Sequence, residues 1–256
     1  MKKYIKSSAA GLVFACSLLG ANQAMAKSDL EGVISSGELK VCFDAGYMPF
    51  EMKTKDGRFI GFDVDLGKHM ARSMGVKFTP VNTAWDGIIP ALQTNKCDII
   101  MGGMTITPER NLKVNFADPY IVIGQSIILS PALEGKINSY TDLNDPKYTI
   151  STKLGTTGVE AAKKRLFNAK IDLYDTEVDA VLQVVNGKAD AFVYDFPYNS
   201  IYAAQNKGKV GHLAEPFTYE PLGWAIRQDD PNFLNFLNNY LRQIKGDGTY
   251  DRMYDK

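Results

Sequence analysis

The chain has 256 residues, of which 45% are hydrophobic and 23% are charged, and its formal net charge at pH 7 is +0. This length suits one large domain or two small ones, with ample material for a core. The balanced charge argues against nucleic-acid binding by a basic surface, and the composition excludes a disordered or collagen-like chain.

The first 26 residues are predicted to be an export signal. Three lysines within the first six positions precede an apolar run over 9–20, and Ala24-Met25-Ala26 supplies the small residues that precede cleavage. The run is too short to span a membrane. We therefore expect cleavage after about Ala26 and export of a mildly acidic protein with a net charge of about −3. A lipoprotein signal that uses Cys16 is the alternative, although the residue two positions before it is bulky.

Strand and helix patterns alternate along the next part of the chain. In order, they predict a strand over 39–43, a helix that Asp63 caps and Gly75 ends, a strand over 76–80, a helix that opens at Thr83, and a strand over 99–101. Pro90 is tolerated because it lies near the beginning of its predicted helix.

The second part of the chain repeats this alternation. After the stretch over 121–129, it predicts a strand over 148–151, a helix over 159–167, a helix capped by Thr176 and ended at Gly187, and a strand over 191–194. A helix from Pro197, a strand over 224–226 and an amphipathic helix over 231–244 follow. Such alternation predicts an α/β fold with parallel strands.

Two cysteines, Cys42 and Cys97, remain after the predicted signal. Export would permit a disulfide bond between them, but the predicted strands argue against it. If Asp44 and Gly103 mark the same ends of neighbouring parallel strands, the two cysteines are offset by four residues, or roughly 13 Å. Bridged Cα atoms lie within about 7 Å of each other. We therefore expect two free thiols.

The segment Gly103-Met104-Thr105, followed by Arg110, is a candidate cradle for a small anion. Glycines let the backbone approach a ligand closely, and Thr105 offers a hydroxyl group and a backbone donor. A guanidinium binds a carboxylate through two parallel hydrogen bonds, which a lysine cannot copy. The alternative is an ordinary surface turn with a solvated arginine.

Two further segments end predicted strands of the second part. Gly155-Thr156-Thr157-Gly158 begins a predicted helix, and the positive end of that helix favours a carboxylate. Asp195 either caps the helix that Pro197 begins or pairs with a cationic group of a ligand, which a buried charge requires.

Aromatic residues follow two strands of the first part. Tyr47 and Trp85 lie in loops that face the cleft of an open α/β sheet, where they could stack on a ligand side chain and attract a cation. Asp44 could meet a positive or amide group at the far end of that ligand. Glu51 is a weaker candidate and is expected on the surface.

Six segments resemble the polar-amino-acid-binding members of family 3 of the bacterial extracellular solute-binding proteins. They cover essentially the whole chain after the predicted signal and occur in the same order as in that family. The segments are GFDVDLGKHMARSM at 61–74, GMTITPER at 103–110, FADPY at 116–120, LGTTG at 154–158, NGKADAFVYD at 186–195 and GDGTYDRMYDK at 246–256. The chain is thus similar to periplasmic lysine/arginine/ornithine-, histidine- and glutamine-binding proteins of ABC transporters.

The resemblance implies a two-lobed, type II periplasmic-binding-protein fold whose lobes are joined by two hinge strands. Lobe 1 would comprise 27–124 plus 221–256, and lobe 2 would comprise 125–220. It also implies a periplasmic monomer without a cofactor, which closes on a free L-amino acid and delivers it to an inner-membrane permease.

The resemblance also assigns roles to individual residues. In the family, the arginine at the position of Arg110 holds the ligand α-carboxylate, and Thr157 contributes from the other lobe. Asp195 would hold the α-ammonium group. Gly158 departs from basic-ligand relatives, which often carry glutamine there. Because Asp44 is acidic, arginine, lysine, ornithine or histidine is favoured as ligand, with glutamine as the alternative.

Enzyme motifs are missing from the sequence. There is no nucleophile elbow, phosphate-binding loop, dinucleotide fingerprint or Cys-x-x-Cys pair, and the two histidines, His69 and His212, have no evident catalytic partner. The enzyme that remains as an alternative is a periplasmic cyclohexadienyl dehydratase, which shares the fold and would act on prephenate. A sensor or adhesin is a third interpretation, without a fused signalling domain to support it.

Overall fold

The computed structural model describes residues 28–256, so the predicted export signal lies outside the described residues. The first part contains, in order, α1 (Asp29–Ser36), β1 (Glu38–Phe43), β2 (Met52–Lys53), β3 (Phe59–Ile60), α2 (Phe62–Ser73), β4 (Lys77–Asn82), α3 (Ile88–Gln93), β5 (Ile99–Ile100), α4 (Pro108–Asn111), β6 (Asn115–Phe116) and β7 (Ile121–Ile123). The second part contains β8 (Gln125–Leu129), β9 (Thr149–Lys153), α5 (Thr157–Arg165), β10 (Lys170–Tyr174), α6 (Glu177–Val185), β11 (Ala191–Asp195), α7 (Phe196–Gln205), β12 (Gly211–Leu213), β13 (Glu220–Leu222), β14 (Ala225–Ile226), α8 (Pro231–Gly246) and α9 (Thr249–Tyr254).

The first sheet has the strand order β4-β1-β5-β14-β6. β1 pairs in parallel with β4 and β5, whereas β14 is antiparallel to β5 and β6. Leu39, Val41 and Phe43 of β1 are fully buried, as expected for a central strand that α1, α2 and α3 all contact. The loops that carry Asp44 and Gly103 leave the same edge of this sheet, after β1 and β5.

The second sheet has the strand order β10-β9-β11-β8-β12. β9 is parallel to β10 and β11, and β8 is antiparallel to β11 and β12. Lys153 ends β9 and Asp195 ends β11, so both side chains lie where parallel strands finish at one edge of the sheet.

A two-stranded antiparallel ladder connects the two sheets. Residues 121–123 of β7 pair with 220–222 of β13, so the chain leaves the first sheet through β7 and returns to it through β13. This arrangement confirms the expected two-lobed α/β fold with two hinge strands. β8 and β14 follow the hinge strands directly and are antiparallel to their neighbours in the sheets. A parallel neighbour would need a crossover connection, usually a helix, and none precedes these two strands. The expectation of parallel strands was therefore wrong for these two.

Two helix starts differ from the expectations. α2 begins after Gly61 without a side-chain cap, because the Asp63 carboxylate instead accepts from the backbone N–H of Gly103 at 2.9 Å. The helix expected from Thr83 begins at Ile88, after a short 3₁₀ turn over Trp85–Gly87. None of the helices within residues 28–256 is long and apolar enough to cross a membrane.

The two cysteines form a disulfide bond, which overturns the expectation of free thiols. The Cα atoms of Cys42 and Cys97 are 5.7 Å apart. The expected offset assumed a straight strand from Cys97 to Gly103, but β5 contains only Ile99 and Ile100. Cys97 instead lies in the turn after α3, where Asn95 adopts a left-handed conformation and the chain bends back towards β1.

Candidate functional site

A cavity lies between the two sheets, at the edge where β1, β5, β9 and β11 end. Its empty volume, including space open to solvent, is about 320 Å³. Its lining residues are Asp44, Tyr47, Glu51, Trp85, Gly103, Thr105, Arg110, Lys153, Thr156, Thr157, Tyr194 and Asp195. Nine of the ten site residues expected from the sequence are in this set.

Arg110 reaches the cavity from the short helix α4, whose first turn Thr107 caps by accepting from the Arg110 N–H at 3.2 Å. Its guanidinium donates to the carbonyl oxygens of Thr105 at 2.9 Å and Gly155 at 3.1 Å. Burial lowers the pKa of Arg110, and the charges of Asp195 and Glu220 oppose that effect. Within residues 28–256 the guanidinium makes no salt bridge, so its charge is available to an anionic ligand.

Asp195 provides a negative charge in the same cavity. It is buried at the end of β11 and accepts hydrogen bonds from the Tyr47 hydroxyl and the Gln125 side-chain amide. Burial raises the pKa of Asp195 to about 7, although both hydrogen bonds oppose that rise. This carboxyl group is therefore close to half protonated at neutral pH, and an incoming ammonium group would favour its ionised form.

A charge cluster closes the far end of the cavity. The Lys153 ammonium contacts Asp44 at 2.7 Å and Glu177 at 2.8 Å, and its side chain is only 2% exposed. Burial alone would lower the pKa of Lys153, but the charges of Glu177 and Asp44 outweigh burial and raise it. The Asp44 carboxylate also accepts from the backbone N–H of Trp85 at 3.2 Å.

Aromatic side chains form two walls. The Tyr47 ring stacks on Phe50 with centroids 4.8 Å apart and meets the edge of Tyr194 at 5.7 Å. The Trp85 indole, which also lines the cavity, lies 5.5 Å from the Arg110 guanidinium and donates to the Gly155 carbonyl at 3.0 Å. A flat or elongated side chain would fit between walls of this kind.

The backbone at Gly103 passes very close to Tyr47. Gly103 has a left-handed φ of 61°, and a Cβ atom there would lie 2.2 Å from the Tyr47 ring. Glycine is thus required at this position. Two residues later, the Thr105 hydroxyl lies 3.4 Å from the hydroxyl of Thr157, which begins α5. The two segments expected to bind a carboxylate therefore face each other across the cleft.

Other residues differ from the expectations. Met104 does not line the cavity: its side chain packs in the cluster that contains Cys42 and Ile100. Glu51 was expected on the surface but is only 1% exposed and lines the cavity. Lys153 was missed, although its place between the predicted strand over 148–151 and the glycine turn could have indicated it. Within residues 28–256, no group of three or more potential metal ligands occurs.

Comparison with known proteins gives a consistent result. The sequence profile of the bacterial extracellular solute-binding proteins, family 3, matches residues 39–256. A protein of Neisseria gonorrhoeae, named a probable histidine-binding protein, is 32% identical, with 100% of this chain and 95% of that protein covered.

Two further relatives differ from each other in what their names describe, one being a binding protein and the other an enzyme. A Wolinella succinogenes protein, assigned as the binding component of an ABC transporter and solved in complex with lysine, is 54% identical, with a TM-score of 0.82, covering 86% of this chain and 94% of that one. The cyclohexadienyl dehydratase of Pseudomonas aeruginosa is 26% identical, covering 87% of this chain and 83% of that protein.

Proposed function

Because the chain belongs to family 3 of the bacterial extracellular solute-binding proteins, we propose that it captures a free L-amino acid with a cationic side chain and delivers it to an ABC permease. The observation that supports this proposal most directly is that two oppositely charged groups, the half-buried Arg110 and the buried Asp195, line one small cavity. An amino-acid zwitterion needs one partner for its carboxylate and one for its ammonium group once it leaves water. Arg110 is the carboxylate partner in this proposal, and Asp195 is the ammonium partner.

Further residues complete the proposed contacts. Thr105 supplies a hydroxyl donor to the carboxylate from lobe 1, and Thr156 and Thr157 at the beginning of α5 contribute from lobe 2. Gly103 and Met104 form the backbone beside Thr105, with the Gly103 N–H already bound by Asp63. The lobe boundaries proposed here are 27–124 plus 221–256 and 125–220. The proposal places the monomeric protein in the periplasm, after cleavage near Ala26.

The acidic residues at one end of the cavity are the reason for proposing a ligand with a cationic side chain. Asp44, Glu177 and Glu51 lie near one ammonium group, that of Lys153. The acids outnumber that cation, so a second positive charge, on the ligand, would be stabilised there. The lysine complex of the Wolinella relative supports the same ligand class.

A neutral polar side chain such as that of glutamine is the second candidate ligand. Lys153 already pairs with Asp44 at 2.7 Å, so part of the negative charge is compensated before any ligand arrives. An amide could then donate to a carboxylate without introducing a second cation.

A thermal-shift screen of the twenty amino acids plus ornithine and citrulline tests the ligand class. A ligand that binds only the folded protein raises its melting temperature. We expect arginine, lysine or ornithine to give the largest rise. Citrulline, which has nearly the shape of arginine without the charge, is the matched control. A larger rise with citrulline or glutamine than with any cationic amino acid would favour the second candidate.

Calorimetry on Asp44→Asn then tests the acidic end. Affinity for a cationic ligand should fall at least about tenfold, because a charged hydrogen-bond partner is lost, whereas affinity for glutamine should change much less. Asp56→Asn, which changes an exposed acid, is the control. The enzyme alternative is tested by incubation with prephenate: its consumption, without binding of any amino acid, would replace this proposal.

A further inference from the structure

The carboxyl group of Glu51 is buried at the cavity without a protein partner. The residue is 1% exposed and lines the cavity together with Asp44. Within residues 28–256, neither of its carboxyl oxygens has a hydrogen-bond partner. Buried polar groups are nearly always satisfied, and those left unsatisfied call for an explanation such as a ligand.

The neighbouring backbone holds Glu51 in this position. Its N–H donates to the Tyr47 carbonyl at 2.9 Å, which ties it to the loop after β1. A Cβ atom at Gly102 would lie 3.0 Å from the Glu51 Oε1 atom and 3.0 Å from the Phe43 side chain. The missing side chain at Gly102 thus leaves the space that the carboxyl group occupies.

The surroundings of Glu51 are mostly acidic or phenolic. Burial raises the pKa of Glu51 well above its ordinary value of 4.5, the negative charges of Asp63, Asp44 and Glu177 add to the rise, and Lys153 opposes it. The groups that face Glu51 are Asp44 after β1, Asp63 of α2, Tyr120 before β7, Lys153 of β9, Glu177 of α6 and Tyr194 of β11. The ammonium of Lys153 is held by Asp44 and Glu177 and leaves Glu51 unpaired.

We propose, on the basis of the proposed function, that Glu51 is a second specificity-determining carboxyl group at the far end of the cavity. This carboxyl group receives the cationic group of the ligand side chain. Without ligand, burial and the neighbouring acids favour the protonated, neutral form of this carboxyl group. When a cation binds, the O–H bond breaks, the proton passes to solvent, and the carboxylate accepts hydrogen bonds from the ligand. A neutral amide or urea group leaves this proton in place.

Proton release provides the test. When any α-ammonium group binds, the ionised form of Asp195 is favoured and its proton passes to solvent, so every amino acid releases protons from that site. A cationic side chain should release about one more proton from Glu51. Calorimetric titrations at about pH 6, in buffers with different ionisation enthalpies, count these protons. L-Arginine and L-citrulline are the matched probes, with L-glutamine as a second neutral ligand.

We expect arginine to release about one proton more than citrulline from the wild-type protein and an equal number from Glu51→Gln. The same substitution should weaken arginine binding at least about tenfold and citrulline binding by less than about threefold. Glu51→Asp, which keeps a carboxyl group, and Asp63→Asn, which removes the neighbouring acid, should both retain the excess proton.

Two results would overturn the proposal. One is equal proton release by arginine and citrulline in the wild-type protein, a comparison that needs no variant to fold. The other is an undiminished excess in a folded Glu51→Gln protein, which would assign the proton to another group. If neither arginine nor any neutral amino acid binds, the proposed function itself is wrong. If arginine binds but releases no more protons than citrulline, the proposed function stands and only the role of Glu51 is wrong.

Discussion

At the scale of single residues, Arg110 is the group on which the proposed binding depends most. Its guanidinium is fixed by two backbone carbonyls and stacks near Trp85, yet has no carboxylate partner within residues 28–256. Arg110→Ala should weaken amino-acid binding at least about a hundredfold, because a buried carboxylate left unpaired costs about 3–5 kcal/mol. Calorimetry measures this loss.

A control separates this effect from a general effect of charge. Arg58→Ala removes an arginine whose side chain is 73% exposed and pairs with the exposed Asp56, so affinity should not change. A loss of tenfold or less in Arg110→Ala would contradict the assigned role.

Asp195 makes binding depend on pH. Its pKa of about 7 is raised by burial, and the ligand ammonium binds the ionised carboxylate. Affinity should therefore increase as pH rises towards about 7 and level off above it, with roughly a tenfold loss per pH unit on the acid side. Calorimetry with a neutral amino acid isolates this group from Glu51. Asp195→Asn should bind weakly at every pH, and an unchanged pH profile in that variant would assign the titration to another residue.

At the scale of elements, the disulfide bond between Cys42 and Cys97 joins β1 to the turn before β5. Both strands lead into loops of the candidate site. The bond closes a loop across a sequence separation of 55 residues, so its removal should lower the free energy of unfolding by about 2–4 kcal/mol. Urea unfolding of the wild type and of the double variant Cys42→Ser, Cys97→Ser measures the difference.

The result that would contradict this expectation is an equal unfolding midpoint for both proteins under oxidising conditions. Addition of a thiol reductant is the internal control, since it should destabilise the wild type and leave the double variant unchanged.

The sequence was sufficient for elements whose pattern is long. α8 was expected over 231–244 and spans Pro231–Gly246, because Phe233, Leu237, Tyr240, Leu241 and Ile244 recur at helical spacing and are all buried. β5 contains only two residues, too few for a pattern to define its ends. The error in the cysteine pairing followed directly from that short strand.

The candidate site was predictable only in part. Tyr47, Trp85 and Asp195 follow strands with recognisable patterns, so their place at the sheet edges could be read from the sequence. Glu51 and Lys153 are charged residues whose burial depends on the approach of distant segments, as the contact of Lys153 with Asp44 shows. No local pattern encodes such a contact.

At the scale of the whole molecule, contacts across the cleft hold the two sheets together around the cavity. Trp85 and Arg110 both donate to the Gly155 carbonyl, and Lys153 pairs with Asp44. A ligand that contacts both lobes can bind fully only when they are close, so it must shift the population towards the closed form.

Small-angle X-ray scattering tests this closure. The radius of gyration should decrease when a cationic amino acid saturates the wild-type protein, and should not change for Arg110→Ala under the same conditions. An unchanged wild-type profile at saturation would indicate a cleft that does not move on binding.

Reversible binding of an unmodified amino acid is tested most directly by calorimetric titration of the purified protein with L-arginine and L-lysine, followed by recovery of the ligand. We expect saturable heat with about one ligand per chain and recovery of the amino acid unchanged. Absence of binding heat with every cationic and neutral amino acid, together with consumption of prephenate by the same protein, would contradict it.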